Sequence, residues 1–221
     1  MDMTMSRTVS ALLGKSLIDS YLDQCQVRNL LVESEKTTHV PPDSRETRAL
    51  MDWLKSQGVD AVIVGSVGVL HYVQDPKNYR PTVDLDLFVR LSEKEMAKIQ
   101  PPKGWARDKE SPGVISWISP SGGYVDFLTA GHVFSDGAKN PKSIEADPSS
   151  KDYPVAKAVE LFRMKLKTMR DKDLSDAMSL ARAIGGIPTD EELGDLTQTQ
   201  EENLGLVRQW YNLRPRGKYG E

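Results

Sequence analysis

At 221 residues the chain is long enough for one well-filled core and a small helical appendage, and too short for two large domains. Lysine and arginine number 29 against 32 for aspartate and glutamate, so the net charge of -3 excludes a general attraction to nucleic acid or anionic membrane, and any polyanion site is local. A lone cysteine, Cys25, forms no intrachain disulfide and fits a reducing compartment as a packing residue rather than a nucleophile. No apolar run approaches the roughly 20 residues of a membrane-spanning helix, and the chain reads as cytoplasmic, where nucleotides and Mg²⁺ are plentiful.

Residues 6–32 carry loosely helical apolar spacing (Leu12, Leu13, Leu17, Ile18, Leu22), followed by a polar linker over 33–43 that ends in Val40-Pro41-Pro42. The core is expected to start after this linker. Asp43 and Ser44 cap a helix running to about Ser56, with Leu50, Met51 and Leu54 on one face and Gly58 as its stop. Val59 to Val64 reads as a short strand, broken at Gly65-Ser66. A short helix over Val67 to Val73 leads through the loop Asp75-Pro76-Lys77-Asn78 into a strand from Thr82 to Val89.

Ser92 and Glu95 form a capping box for a helix that ends by Pro101-Pro102. Val114 to Ile118, the turn Pro120-Ser121-Gly122-Gly123, and Tyr124 to Leu128 read as a hairpin. From Pro154 the pattern is helical, with Gly185-Gly186-Ile187-Pro188 separating Ala177 to Ile184 from a helix capped at Thr189. Val155, Val159, Phe162, Leu166 and Met169 form one apolar stripe expected to dock on the sheet. The reading is thus α/β (α+β), a small mixed sheet of three or four strands with flanking helices. Its parts are an extension and linker (1–43), a core (44–150) and a helical C-terminal part (151–221).

Within this frame the stretch RPTVDLDLF, Arg80 to Phe88, sets two carboxylates inside a buried strand. Alternation puts Asp84 and Asp86 on one face and Val83, Leu85 and Leu87 on the other, with the carboxylates roughly 6 to 7 Å apart at the backbone. A buried carboxylate without a partner is costly, and a divalent cation is a fitting partner, hard oxygen ligands favouring Mg²⁺ or Mn²⁺. Asp126, in the strand Tyr124 to Leu128, joins the cluster if that strand lies beside the first. Such a trio suits metal ions that neutralise a triphosphate and activate an attacking hydroxyl, with Asp126 as ligand or general base. Taken alone, D-x-D also occurs at strand ends with no ligand at all.

The strand-to-helix turn Val64-Gly65-Ser66-Val67-Gly68 adds a place where free N–H groups, the Ser66 hydroxyl and the helix dipole can hold a phosphate. Asp84 and Asp86 follow Ser66 by eighteen and twenty residues. Gly65-Ser66 with Arg80-x-Thr82-x-Asp84-x-Asp86 resembles the signature of the nucleotidyltransferase superfamily, the polymerase-beta-like fold. Its R-x-T-x-D-x-D form is most similar to the AbiEii branch, which includes toxins of toxin–antitoxin pairs and often has two glycines where this chain has Gly65-Ser66. The likeness spans residues 45–184.

The resemblance implies transfer of a nucleoside monophosphate from an NTP to an acceptor hydroxyl, on tRNA, a protein or a small antibiotic, with an antitoxin as a further partner. By it Gly65 and Ser66 hold terminal phosphates, Asp84, Asp86 and Asp126 hold metal, and Arg80 and Thr82 support the loop or a phosphate. Residues 151–172 carry seven basic side chains against three acidic ones, Lys165 and Lys172 flanking the apolar stripe on one side, Arg163 and Arg170 on the other. Lys165 is expected at the triphosphate, since Lys165, Arg170, Asp173 and Asp176 match the branch's K-x-x-x-x-R and D-x-x-D elements. A solvated face of i,i+4 ion pairs is the competing reading for most of these basic residues. A non-catalytic NTP-binding protein of the same fold is the rival to the enzyme. His71 and His132 have no partner at metal spacing, and Arg214 to Lys218 reads as a basic tail.

Overall fold

The computed structural model describes residues 16–32, 39–73, 82–133, 139–168 and 170–213. The loop at Asp75 to Asn78, Arg80, Met169, the stretch before residue 16 and the basic tail lie outside them. Helices α1 (Leu17–Val32) and α2 (Ser44–Ser56) are followed by β1 (Ala61–Ile63), α3 (Gly65–Val73), β2 (Leu85–Val89), α4 (Glu93–Met96), β3 (Ala106–Ser111), β4 (Val114–Ile118) and β5 (Tyr124–Thr129). Four helices then close the order: α5 (Ala158–Lys165), α6 (Asp171–Ala183), α7 (Asp190–Leu193) and α8 (Gln198–Leu213). The strands form one mixed sheet in the order β1-β2-β5-β4-β3, in which only β2 and β5 run parallel.

Strand alternation divides the apolar residues between two cores. Leu85, Leu87, Val89, Ile115, Trp117, Val125 and Phe127 project from one face onto α1, α2 and α4. Phe88 and Val62 project from the other onto α5, α6 and α8 through Leu161, Phe162, Leu166, Ala177, Leu180 and Val207. Each fully buried Leu or Phe contributes about 1.5–3 kcal/mol of transfer free energy, enough to fix the register of the central strands. The second core covers β1, β2 and the end of β5. Beyond it the face carrying Tyr124, Asp126, Ser116 and Ile118 is only half-buried.

Local chemistry sets the element ends. The Asp43 side chain accepts the Glu46 N–H at 2.7 Å to cap α2, and Gly58, at φ +71°, turns the chain out of it. Capping boxes start α4 at Ser92 and α7 at Thr189.

Five sequence-based expectations need correction. Strand β3, ARDKES, has no apolar alternation, because it is an exposed edge held by pairing with β4, with a register shift between Arg107 and Glu110. The strand at the D-x-D element starts at Leu85, leaving Thr82 to Asp84 as its lead-in and Val83 exposed. The helix expected from Pro154 breaks in two around 166–170, with Asp171 and Asp173 in the first turn of α6, where the helix dipole favours them. Val155 is not helical at all: the Pro154 carbonyl accepts the Ile63 N–H at 2.8 Å and the Ala156 N–H returns to the Ile63 carbonyl at 3.0 Å.

Finally, the core does not wait for the linker, since Ile18, Tyr21, Leu22 and Cys25 of α1 are buried in the first cluster. Asp19 anchors that helix. It pairs with Arg48 and accepts the Tyr153 hydroxyl at 2.5 Å, while the Arg48 guanidinium lies 4.9 Å over the Tyr153 ring. Burial pushes the Asp19 carboxyl up, but these two partners bring it below the usual carboxylate range.

The end of the linker, His39 to Pro42, runs against the start of β5. The Val40 carbonyl accepts the Tyr124 N–H at 2.7 Å, and the Pro41 carbonyl accepts Gln26 Nε2 at 2.7 Å. A Cβ on Gly123 would stand 2.5 Å from Pro42 Cα. Gly123→Ala is therefore expected to destabilise the fold by about 2 kcal/mol, read as a lower urea midpoint with unchanged slope. A midpoint equal to that of the parent would show that the 39–42 segment is not held against β5.

Candidate active site

The parallel pairing of β2 with β5 places Asp86 directly beside Asp126, and Ser116 of β4 lies beside Asp126 on the other side. Asp84 stands one residue before β2 on the same side of the sheet as Asp86. Oxygen atoms of Asp84, Asp86 and Asp126 all lie within 4.8 Å of one another. The three half-buried carboxylates form one pocket of hard oxygen donors, the donor set that suits Mg²⁺ or Mn²⁺.

The neighbours of each carboxylate differ. Thr82 is buried and its hydroxyl donates to Asp84 Oδ1 at 3.2 Å, fixing the lead-in to β2. Ser116 Oγ donates to Asp126 Oδ1 at 2.6 Å. Burial pushes the Asp86 carboxyl up to about 7, assisted by repulsion from Asp84 and Asp126 and opposed by Lys165 and Lys172. Burial also raises Asp126, with Asp84 and Asp108 adding to the rise and the Ser116 hydroxyl and His39 opposing it.

Gly65 opens α3 at φ +60°, and a Cβ there would sit 1.8 Å from Asp86 Oδ2. The turn and the carboxylate are in direct apposition, and glycine is required both for the backbone conformation and for the space. Ser66 follows in the first turn of α3, where a helix start points its backbone N–H groups outward. Its hydroxyl reaches Asp176 Oδ2 of α6 at 3.5 Å.

Lys165 is where the fold departs most from a side chain simply flanking a stripe. It is buried, with Nζ 2.7 Å from Asp176 Oδ2 and 3.3 Å from Asp173 Oδ1. Asp173 is buried too, yet Arg170 Nε at 2.7 Å, the Thr168 hydroxyl at 2.7 Å and the Lys165 charge bring it down to about 2. Ser66, Asp176, Lys165, Asp173 and Arg170 thus make one polar chain from the Gly65-Ser66 turn into α5 and α6. The sequence names each of these residues, but not that they bond to one another.

The structure also adds residues that the sequence reading passed over. Ser116 was legible in principle, because the hairpin register that pairs Val114 with Leu128 also sets it beside Asp126. Two others are Asp108 on β3 and His39, whose ring stacks on Tyr124 at 3.8 Å and 7°. Nothing in the sequence marks His39, which sits in a linker. Arg80 lies outside the described residues. His132 pairs with Glu93 at 2.9 Å, away from the carboxylates, and Cys25 is a buried core residue. No helix among the described residues is long and apolar enough to cross a membrane.

No family model matches the chain, and no curated protein matches it. Among solved structures it is similar to a lincomycin-bound lincosamide antibiotic adenylyltransferase, LnuA, at 16% identity and a TM-score of 0.45, over 64% of this chain and 97% of that one. It is similar to an antigenic nucleotidyltransferase-like protein from Paracoccidioides brasiliensis at 15% identity and a TM-score of 0.45, over 76% and 90% of the two chains. A third is the antibiotic-resistance factor ANT(2'')-Ia, at 10% identity and a TM-score of 0.48, over 76% and 92%.

The raised Asp86 carboxyl makes a prediction about stability. An unfolded aspartate titrates near 3.9, and Asp86 in the fold near 7, so ionising it weakens the fold progressively between about pH 4 and 7 and by a constant amount above. Asp86→Asn is expected to melt about 5 °C above the parent at pH 8 in chelator, with the gap closing toward pH 4. Added Mn²⁺ raises the parent's melting temperature and leaves the variant's unchanged. A variant that melts below the parent at pH 8 contradicts the crowding of these carboxylates.

Proposed function

We propose that this protein is a metal-dependent nucleotidyltransferase that moves a nucleoside monophosphate from an NTP to an acceptor hydroxyl. The observation that carries the reading is the convergence of Asp84, Asp86 and Asp126 within 4.8 Å, beside a Gly65-Ser66 helix start. Asp84 and Asp86, with Asp126, would hold Mg²⁺ or Mn²⁺. When bound, the metal neutralises phosphate charge and lowers the pKa of the attacking hydroxyl.

The chain's own residues carry the rest. Backbone N–H groups at the start of α3 and the Ser66 hydroxyl receive the terminal phosphates, and Gly65 leaves the approach to Asp86 open. Asp126, pushed up by burial, is the carboxylate suited to take the acceptor proton, and the Ser116 hydroxyl orients it. As the acceptor oxygen bonds to the α-phosphorus, the bond from that phosphorus to the bridging oxygen breaks and pyrophosphate leaves with its electron pair. Thr82 holds Asp84 in place. Lys165 acts on the phosphate end through Asp176 and Ser66 and lends its charge to the carboxylate cluster. By the motif resemblance, Arg80 would steady the loop or a phosphate.

The motif resemblance to the AbiEii branch favours tRNA or a protein hydroxyl as acceptor and an antitoxin partner, and the lone cysteine fits a cytoplasmic setting. The domain reading is an N-terminal extension and linker at 1–43, a catalytic core at 44–150 and a helical C-terminal part at 151–221, with α1 packed into the same core.

Each α-³²P-labelled NTP is incubated with the protein, Mg²⁺ and, separately, total tRNA, a cell-protein fraction and a panel of hydroxylated antibiotics. Label is expected to move to one acceptor class, and Asp84→Ala with Asp86→Ala lowers the rate by about a thousandfold or more. Equal labelling by the double variant would overturn the assignment.

A further inference from the structure

His39 is exposed while its ring lies flat on Tyr124, 3.8 Å away and 7° from parallel. An exposed ring is normally free to rotate, but the backbone next to this one is fixed. The Val40 carbonyl is bonded to the Tyr124 N–H, Val40 itself is buried, and Pro42 is wedged over Gly123.

The position of the stack relative to the carboxylates follows from the sheet register. Leu85 pairs with Val125 and Asp86 with Asp126, and Asp84 and Tyr124 each stand one residue before this paired run. Tyr124, Asp126, Asp84 and Asp86 therefore share one side of the sheet. The His39 imidazole is also near enough to Asp126 to act on its charge. From Asp86, which faces the Gly65-Ser66 turn, the stack lies one strand over and two residues along, about 8 Å at the backbone. With the phosphate tail at that turn and the α-phosphate among the carboxylates, a base directed toward the start of β5 would reach the stack over about this span.

We propose that the pinned His39–Tyr124 stack is the platform on which the base of the NTP rests, the exposed face of the imidazole taking the stacked base. The proposal rests on the nucleotidyltransferase reading and adds to it the part of the site that binds the nucleoside. Because the platform is ordered by the fold, binding loses little further side-chain freedom. Stacking uses the π-face that every base has, so the platform accepts all four bases, purines more strongly than pyrimidines for their larger rings.

The test compares a non-hydrolysable ATP analogue with inorganic tripolyphosphate by calorimetry in Mg²⁺, for the parent, His39→Ala and His39→Phe. His39→Ala is expected to weaken the ATP analogue about tenfold and leave tripolyphosphate unchanged, while His39→Phe, which keeps a flat ring, retains most of the parent's affinity. Unchanged binding of the analogue by His39→Ala overturns the platform while leaving the nucleotide site standing. An equal loss for both ligands also overturns it, since the effect then lies with charge and not with the base. If the parent binds neither ligand, the nucleotidyltransferase reading fails and the platform fails with it.

Discussion

Three carboxylates crowded on one patch of sheet repel one another, by about 3.5 kcal/mol for each ionised pair at this separation and an effective permittivity of 20. The surrounding fold brings them together in spite of this. Two parallel strands in register set Asp86 against Asp126, and a buried threonine holds Asp84 on the same side. The apolar residues that alternate with them, Leu85, Leu87, Val125 and Phe127, are fully buried, so a slip of one residue would empty the core. The register that fills the core therefore also forces the acids together, and burial with mutual repulsion holds Asp86 partly protonated near neutrality.

Among the described residues, two cationic side chains near the patch, Lys165 of α5 and Arg170 just before α6, are held in ion pairs. Lys165 is enclosed by Asp173 and Asp176, while the exposed Arg170 pairs with the buried Asp173. A buried ion-pair network of this kind contributes little net stability, but losing one member leaves a buried charge uncompensated. Its effect here is geometric: through Asp176 it ties the Ser66 hydroxyl, and so the start of α3, to the helices of the second core. The Gly65-Ser66 turn is thus held from two sides, by Asp86 of the sheet and by Asp176 of α6.

Much of this was legible in the sequence because it depends on local rules. Capping residues located α2, α4 and α7, and the turn Pro120 to Gly123 located the β4–β5 hairpin. The acids at 84 and 86 were visible as charge in an apolar strand. What was not legible depends on long-range contact. Strand β3 has a polar sequence and exists as a strand only because β4 offers it an edge. The break between α5 and α6 leaves no glycine or proline to mark it, and α1 reads as peripheral until Asp19 finds Arg48 and Tyr153. His39 had no periodicity, spacing or partner in sequence; its stacking follows from where Pro41 and Pro42 pass over the start of β5.

The central claim is that these carboxylates gather because a divalent cation belongs among them. Anomalous diffraction from crystals grown with Mn²⁺ and a non-hydrolysable NTP tests it directly. The account predicts a manganese peak bounded by oxygens of Asp84, Asp86 and Asp126, with the nucleotide's phosphates running from it toward Gly65 and Ser66. A map with no peak there at saturating Mn²⁺, or with Asp126 turned away from the other two, would contradict it.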